Sequence, residues 1–264
     1  MDAATPPRVF LRLSDEDSRR ISTSSAASVF NRGISRRSAF ALLAGAVISS
    51  RLTWGADVPP LLDHFILGCD DLDRGIDFVE KHTGVRAAYG GIHPGRGTRN
   101  ALLSLGERKY LEIMAPDPAQ QGTLQIPRLR ELKELRIVGW AVHPADVSQL
   151  AARLRQAGVA FKDPQPGSRQ RPDGKVLHWK SLTLIDDHDG LLPFFIEWSA
   201  DSLHPSADAP KGCRLERFAA VNSRPDDLVK EVAILQIDLS ISRGEKPALQ
   251  ATIAGPQGQL TAIS

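Results

Sequence analysis

The sequence predicts an α+β protein built from two β-α-β-β-β modules and a partial third. Two observations carry this. The helix endings "EKHTGV" and "LRQAGV" recur, closing on Gly84 and Gly158. The closing strands "KYLEIMAP" and "PFFIEWSA" recur as well, with Glu112 and Glu197 in corresponding places. Matching punctuation on two stretches of similar element order is an internal repeat, a stronger signal than any single motif in the chain.

In the first module, "LLDHFILG" has the apolar density and length of a buried strand. "DDLDRGIDFVEKHTGV" follows as a helix: Asp70 or Asp71 can cap it, Ile76, Phe78 and Val79 give it an apolar face, and Gly84 ends it. Strands are expected over Val85–Tyr89, Thr98–Leu105 and Lys109–Ala115, the last two joined by the tight turn "LGERK".

The second module repeats the order. "LRIVGWAVH" is a strand, and "PADVSQLAARLRQAGV" is a helix with Pro144 at its start and Gly158 at its end. "GVAFKDPQ", "KVLHWKSLTLID" and "LPFFIEWSA" are the remaining strands. In the partial third module, "RLERFAAVN" reads as a strand and "RPDDLVKEVA" as a short helix. "LQIDLSIS", "PALQATIA" and "QLTAIS" then alternate as strands.

Composition limits the function. The 264 residues suffice for a sizeable core. A net charge of +2, with its basic residues scattered, argues against a nucleic-acid or anionic-membrane partner. Two cysteines, Cys69 and Cys213, make no disulfide framework. They could pair in an exported protein; two separate buried thiols are the expectation.

The amino terminus reads differently from the rest. Met1 to Asn31 has no sustained apolar period and is expected to be disordered. Arg36 and Arg37 then stand directly before Ala39–Ser50, a mild apolar run too short to span a bilayer comfortably. This pattern resembles a twin-arginine export signal, with cleavage expected near Gly55 or Ala56 and a periplasmic destination. A short buried helix after a basic linker is the alternative. The expected organisation is thus residues 1–57 as leader and signal, 58–200 as the paired modules, and 201–264 as the partial module packed on the same domain. The expected partners are a small-molecule ligand and the twin-arginine export machinery, with no stable membrane span and a homodimer left open.

"LDHFILGCDDLDRGIDFVEKHTGV", "GGIHPGRGTRNALLSLGERKYLEIMAP" and "GLLPFFIEW" together resemble the glyoxalase-like domain family of the vicinal-oxygen-chelate superfamily. The resemblance spans Leu61 to Trp198 closely and the carboxy-terminal third loosely. It implies curved, mostly antiparallel sheets around a cleft that holds a divalent metal and chelates a substrate through adjacent oxygens. Carried over position by position, it implies His64, Glu112 and Glu197 as ligands of Zn²⁺, Mn²⁺, Fe²⁺ or Ni²⁺. The fourth ligand position falls on Val138, beside Gly139 and Trp140, none of which offers a side-chain donor. Water, His93 or His143 would have to complete such a site.

Strand alternation places the polar residues. His64 shares a face with Leu62 and Ile66, and Glu112 with Tyr110 and Met114. Glu197 lies with Phe195, while Phe194, Ile196 and Trp198 take the other face. A buried glutamate must pair with a cation, bind a metal or stay protonated; Arg96, Arg99 or Lys180 could supply the cation. The loop "GGIHPGRGTRN" brings His93, Arg96, Thr98 and Asn100 to one edge on glycines that permit close approach, which reads as a ligand rim. His178, His188 and His204 read as surface or structural, and His82 as a complement to its helix dipole.

Two functions fit. One is an enzyme of isomerase, lyase or oxygenase type, with Glu112 or Glu197 as general base and His93 donating to a substrate oxygen. The other is a non-catalytic protein that binds and sequesters a small molecule.

Overall fold

The computed structural model describes residues 57–264 apart from 121 and 123. Strand β1 (Leu62–Gly68) is buried along its whole length, as its apolar run requires. Asp71 starts α1 (Leu72–Thr83) by accepting from the Arg74 N–H, and Gly84 ends it at φ 80°, where a side chain would be strained. Then come β2 (Ala88–His93), β3 (Thr98–Ser104) and β4 (Tyr110–Pro116). β2 begins later than the sequence suggests and runs through Gly90 and Gly91 to His93.

The second module contains β5 (Arg136–Val142), α2 (Val147–Gln156), β6 (Phe161–Gln170), β7 (Val176–Leu184) and β8 (Phe194–Trp198). Asp146 caps α2 through the Gln149 N–H, so the helix starts after the expected Pro144. β6 outruns its expected end at Gln165, although it contains Pro164, Pro166 and Gly167. It is an edge strand, where proline is tolerated.

Both modules form one eight-stranded sheet in the order β2-β3-β4-β1-β5-β8-β7-β6. β1 runs parallel to β4, β5 runs parallel to β8, and β1 meets β5 antiparallel at the seam. His93 on one edge strand and Arg169 on the other line the same cavity, so the sheet curls back on itself.

The third unit has a full set of elements: β9 (Arg214–Asn222), α3 (Pro225–Leu235), β10 (Ser240–Arg243), β11 (Ala248–Gly255) and β12 (Gly258–Ile263). Its four-stranded sheet has the order β10-β9-β11-β12, so its first strand pairs in parallel with its second. In the other two modules the first strand pairs with the fourth. The third unit therefore differs in topology from a partial copy. α3 also takes in Leu235, expected in a strand, because Leu228, Val232 and Leu235 form its buried stripe. Phe218 of β9 lies 5.7 Å from the Phe65 ring, in a core shared by both sheets.

The expected leader, export signal and cleavage site lie outside the described residues. The backbone of Asp57, the first described residue, accepts from the Phe218 N–H at 2.7 Å. No helix among the described residues is long and apolar enough to cross a membrane. Cys69 and Cys213 are both free and buried, and burial pushes the Cys69 thiol up to about 12.

Candidate functional site: a polar chain across the cleft

The curled sheet encloses a cavity of about 540 Å³, a size suited to a small molecule. Alternation aims one face of each strand into it: His64 and Ile66 from β1, Tyr110, Glu112 and Met114 from β4, Thr98 and Asn100 from β3. His93 and Arg96 of the glycine-rich loop line it too, so both parts of "HPGRGTRN" border one space.

A chain of polar contacts crosses this cavity. Arg169 Nη1 donates to Asn100 Oδ1 at 3.2 Å, and Asn100 Nδ2 donates to Glu112 Oε1 at 2.6 Å. Glu112 Oε2 stands 3.7 Å from His64 Nε2. On the far side of the ring, His64 Nδ1 lies 2.7 Å from Asp63 Oδ1. Asp63 Oδ2 in turn accepts from Trp198 Nε1 at 3.0 Å and contacts His204 Nε2 at 3.1 Å.

Asp63 is 0% exposed, so its ionisation needs an explanation. Burial pushes its pKa up, but hydrogen bonds from His204 and His64, with the attraction of either ring when it carries a second proton, outweigh burial and hold it well below the usual carboxylate range. An ionised Asp63 accepts only, so His64 gives it the Nδ1 proton and turns Nε2 toward Glu112. Tyr110 stacks on His64, with centroids 4.5 Å apart and planes 20° apart, which fixes the ring from its face. Burial, then the charges of Asp63 and Glu112, raise the Tyr110 pKa well above its ordinary value. It stays a neutral wall.

His93 occupies the other side of Glu112. Its Nε2 lies 3.6 Å from Glu112 Oε1, and its Nδ1 lies 2.8 Å from the Thr98 hydroxyl. Burial lowers its pKa, opposed by Glu112 and reinforced by the charges of Arg169 and Arg96. At neutral pH the ring is uncharged and offers one donor and one acceptor.

Glu197 stands apart, which corrects the expected ligand and base set. Its Oε2 accepts from the Val147 N–H at 2.7 Å, at the start of α2. Register explains the misassignment. His64 pairs with Tyr110 in the first module, and Ala141 pairs with Phe194 in the second. Two residues further along each strand, Glu112 is matched by Ile196, not by Glu197. The same comparison matches His64 with Ala141, not with Val138.

The expected metal set therefore does not fit. Members of the superfamily often use divalent metals, but by register the second-module counterparts of His64 and Glu112 are Ala141 and Ile196, which have no side-chain donor atoms. Among the described residues no three His, Cys, Asp or Glu side chains are grouped to hold one ion. His143 has its pKa lowered by burial and is not part of the cavity lining.

Sequence reasoning missed Asp63, His204 and Arg169. Asp63 is next to His64, and strand alternation alone points the two apart. His204 follows the last strand of the module and reads as surface or structural, which leaves its contact with Asp63 unforeseen. Arg169 lies in "PGSRQRPDG", whose composition reads as a loop.

Paired β-α-β-β-β modules joined at β1 and β5, curled around a polar cavity, define a vicinal-oxygen-chelate fold. Within it, the chain belongs to the glyoxalase-like domain family, which it matches over residues 62–235. Among solved structures, a hypothetical protein from Staphylococcus aureus is similar at 17% identity, with a TM-score of 0.55 over 76% of this chain and 84% of that one. A methylmalonyl-CoA epimerase from Streptomyces coelicolor matches at 23% identity and TM-score 0.40, covering 55% of this chain and 99% of its own. The methylmalonyl-CoA epimerase from Mycobacterium tuberculosis matches at 21% and 0.37, covering 58% and 92%. No curated protein matches the chain.

Proposed function

We propose that the cleft binds a small oxygen-rich molecule and moves a proton on it, an isomerase- or lyase-type reaction. The observation that supports this best is the Asp63–His64–Glu112 arrangement. Asp63 holds the His64 ring so that Nε2 faces Glu112 Oε2 at 3.7 Å. Two groups able to take and give a proton thus stand beside one another at the cavity wall.

In this reading Glu112 removes a proton from a carbon next to a carbonyl, leaving the electron pair on the carbonyl oxygen as an enolate. His93, Arg96, Thr98 and Asn100 lie at the rim to receive the substrate's oxygens, and His93 or Asn100 donates to the one that gains charge. His64 exchanges the proton with Glu112 and returns it to the substrate. Asp63 stabilises the imidazolium that forms in between. Tyr110, Phe194 and Trp198 supply an apolar wall that limits water at the reacting atoms.

The second reading is sequestration without chemistry, and Ala141 and Ile196 favour it by leaving the second module without polar groups at the positions of His64 and Glu112. The two readings separate on solvent exchange. A catalytic cleft exchanges an acidic C–H of its ligand with solvent deuterium and loses this in Glu112→Gln. A sequestering cleft binds without exchange. Export to the periplasm through the twin-arginine machinery belongs to the same proposal and rests on Arg36 and Arg37 ahead of Ala39–Ser50.

A further inference from the structure

Strand β6 is a solvated edge strand with one exception. Of its 10 residues only Arg169 is buried, at 4% exposure, and it lines the cavity. Edge strands usually turn charge toward water. Arg171, two positions on, pairs with Asp173 and Asp208. Among the described residues the Arg169 guanidinium has one hydrogen bond, to the neutral Asn100 amide, and no carboxylate forms an ion pair with it.

Asn100 determines this outcome. Its oxygen accepts from Arg169 and its nitrogen donates to Glu112, so the amide stands between the guanidinium and that carboxylate. Asn100 thus occupies one Glu112 oxygen, and the other N–H groups of Arg169 are left for a ligand. The chain also makes room for the arrangement. A side chain at Gly90 would collide with Arg169 Nη1 and Asn100 Oδ1, and one at Gly91 would collide with the Gln170 carbonyl. The two glycines before the loop are thus a slot for an arginine that arrives from the opposite edge of the sheet.

A buried guanidinium with no ion pair among the described residues fits a planar anion, which it can hold through two parallel N–H bonds. A planar carboxylate meets the guanidinium fork edge to edge, and Arg96 and Lys162 at the same cavity set positive charge against Glu112, Asp163 and Asp187. The rest of the cavity is apolar where it meets Trp179, Phe194 and Trp198, and Trp179 is seated on Gly167, where any side chain would strike the indole. We propose that Arg169 anchors the carboxylate of the ligand, and that the ligand is a small organic acid with an aromatic or branched apolar body. This rests on the proton-transfer reading of the same cleft and gives it a substrate class: acids with a carbonyl oxygen next to the carboxylate.

The test is calorimetric titration with phenylpyruvate, its methyl ester and phenyl phosphate, on the full chain and on Arg169→Met, Arg169→Lys and Lys162→Met. Lys162 is an exposed cation at the same cavity and controls for general charge attraction. Phenylpyruvate should bind, Arg169→Met should weaken it by about tenfold or more, and Arg169→Lys should restore part of the loss. The ester should bind weakly and equally to wild type and Arg169→Met, and Lys162→Met should change acid affinity by less than about twofold. Equal affinity for acid and ester, an unchanged Arg169→Met, an equal loss in Lys162→Met, tighter binding of phenyl phosphate, or no binding of the acid at millimolar concentration would each overturn the inference. If Arg169→Met fails to fold, the acid–ester comparison on wild type and Arg169→Lys still decides it. Acid binding without solvent exchange leaves this inference standing and defeats only the proton-transfer reading.

Discussion

Asp63 Oδ1 lies 2.7 Å from His64 Nδ1, and this contact between two sequence neighbours decides which nitrogen of His64 faces the cleft. Asp63→Asn should cost about 3 kcal/mol of stability, because it leaves His204, His64 and Trp198 with a poorer acceptor in a buried place. The pH dependence follows from the lowered pKa. The carboxylate's contribution is complete above the unfolded value near 3.8 and is lost as pH falls below it. Urea unfolding from neutral pH down to about pH 3 should show a steeper loss of stability in wild type than in Asp63→Asn.

Glu197 should behave as a helix cap. Its carboxylate holds the Val147 N–H, so Glu197→Ala should cost about 1 kcal/mol in denaturant unfolding. Ligand affinity and any exchange activity should stay unchanged. A loss of activity at retained stability would return Glu197 to the site.

Gly90 is tested by its smallest substitution. Gly90→Ala places a methyl group against Arg169 and Asn100, and the strain should cost about 1–3 kcal/mol. It should also weaken acid binding, since both of those side chains must shift. Gly95→Ala serves as a contrast. Nothing lies near its added Cβ, but its φ of 71° disfavours a side chain, so it should lose stability without a change in acid affinity.

Export is tested separately from the cleft. Replacing Arg36 and Arg37 together with lysine should leave the protein in the cytoplasm, as fractionation and immunoblotting would show. Unchanged export, or a wild type that stays cytoplasmic, would contradict the assignment.

Much of this architecture was legible in the sequence, because two kinds of local rule agree along it. Caps at Asp71 and Gly84 bound α1 where the apolar stripe does. Alternation then aims His64, Glu112 and Asn100 to one side of their strands. Alternation also put Glu197 on the face of Phe195, away from Phe194, Ile196 and Trp198; the internal repeat, matched one residue out of register, argued the other way and misled. A one-residue slip reverses the face of a strand, so a repeat alone cannot fix a ligand. Arg169 was not legible at all. Its burial depends on two sheet edges meeting, a long-range event for which Gly90 and Gly91 are the only local trace. Asp63 was hidden by its neighbour: adjacent residues on a strand normally face apart, and only the contact with Trp198 and His204 turns its carboxylate toward the His64 ring.

The measurement that tests the central claim most directly is deuterium incorporation at C3 of phenylpyruvate in D₂O, followed by proton NMR with wild type, Glu112→Gln, His64→Gln and Glu197→Gln. The probe offers a carboxylate, an adjacent carbonyl oxygen, a ring for the apolar wall and an exchangeable C–H. Wild type and Glu197→Gln should accelerate exchange above the buffer rate. Glu112→Gln and His64→Gln should each lower the acceleration by about a hundredfold or more, the scale of a lost general acid or base. Exchange at the buffer rate in wild type, or equal acceleration in wild type and Glu112→Gln, would contradict the account.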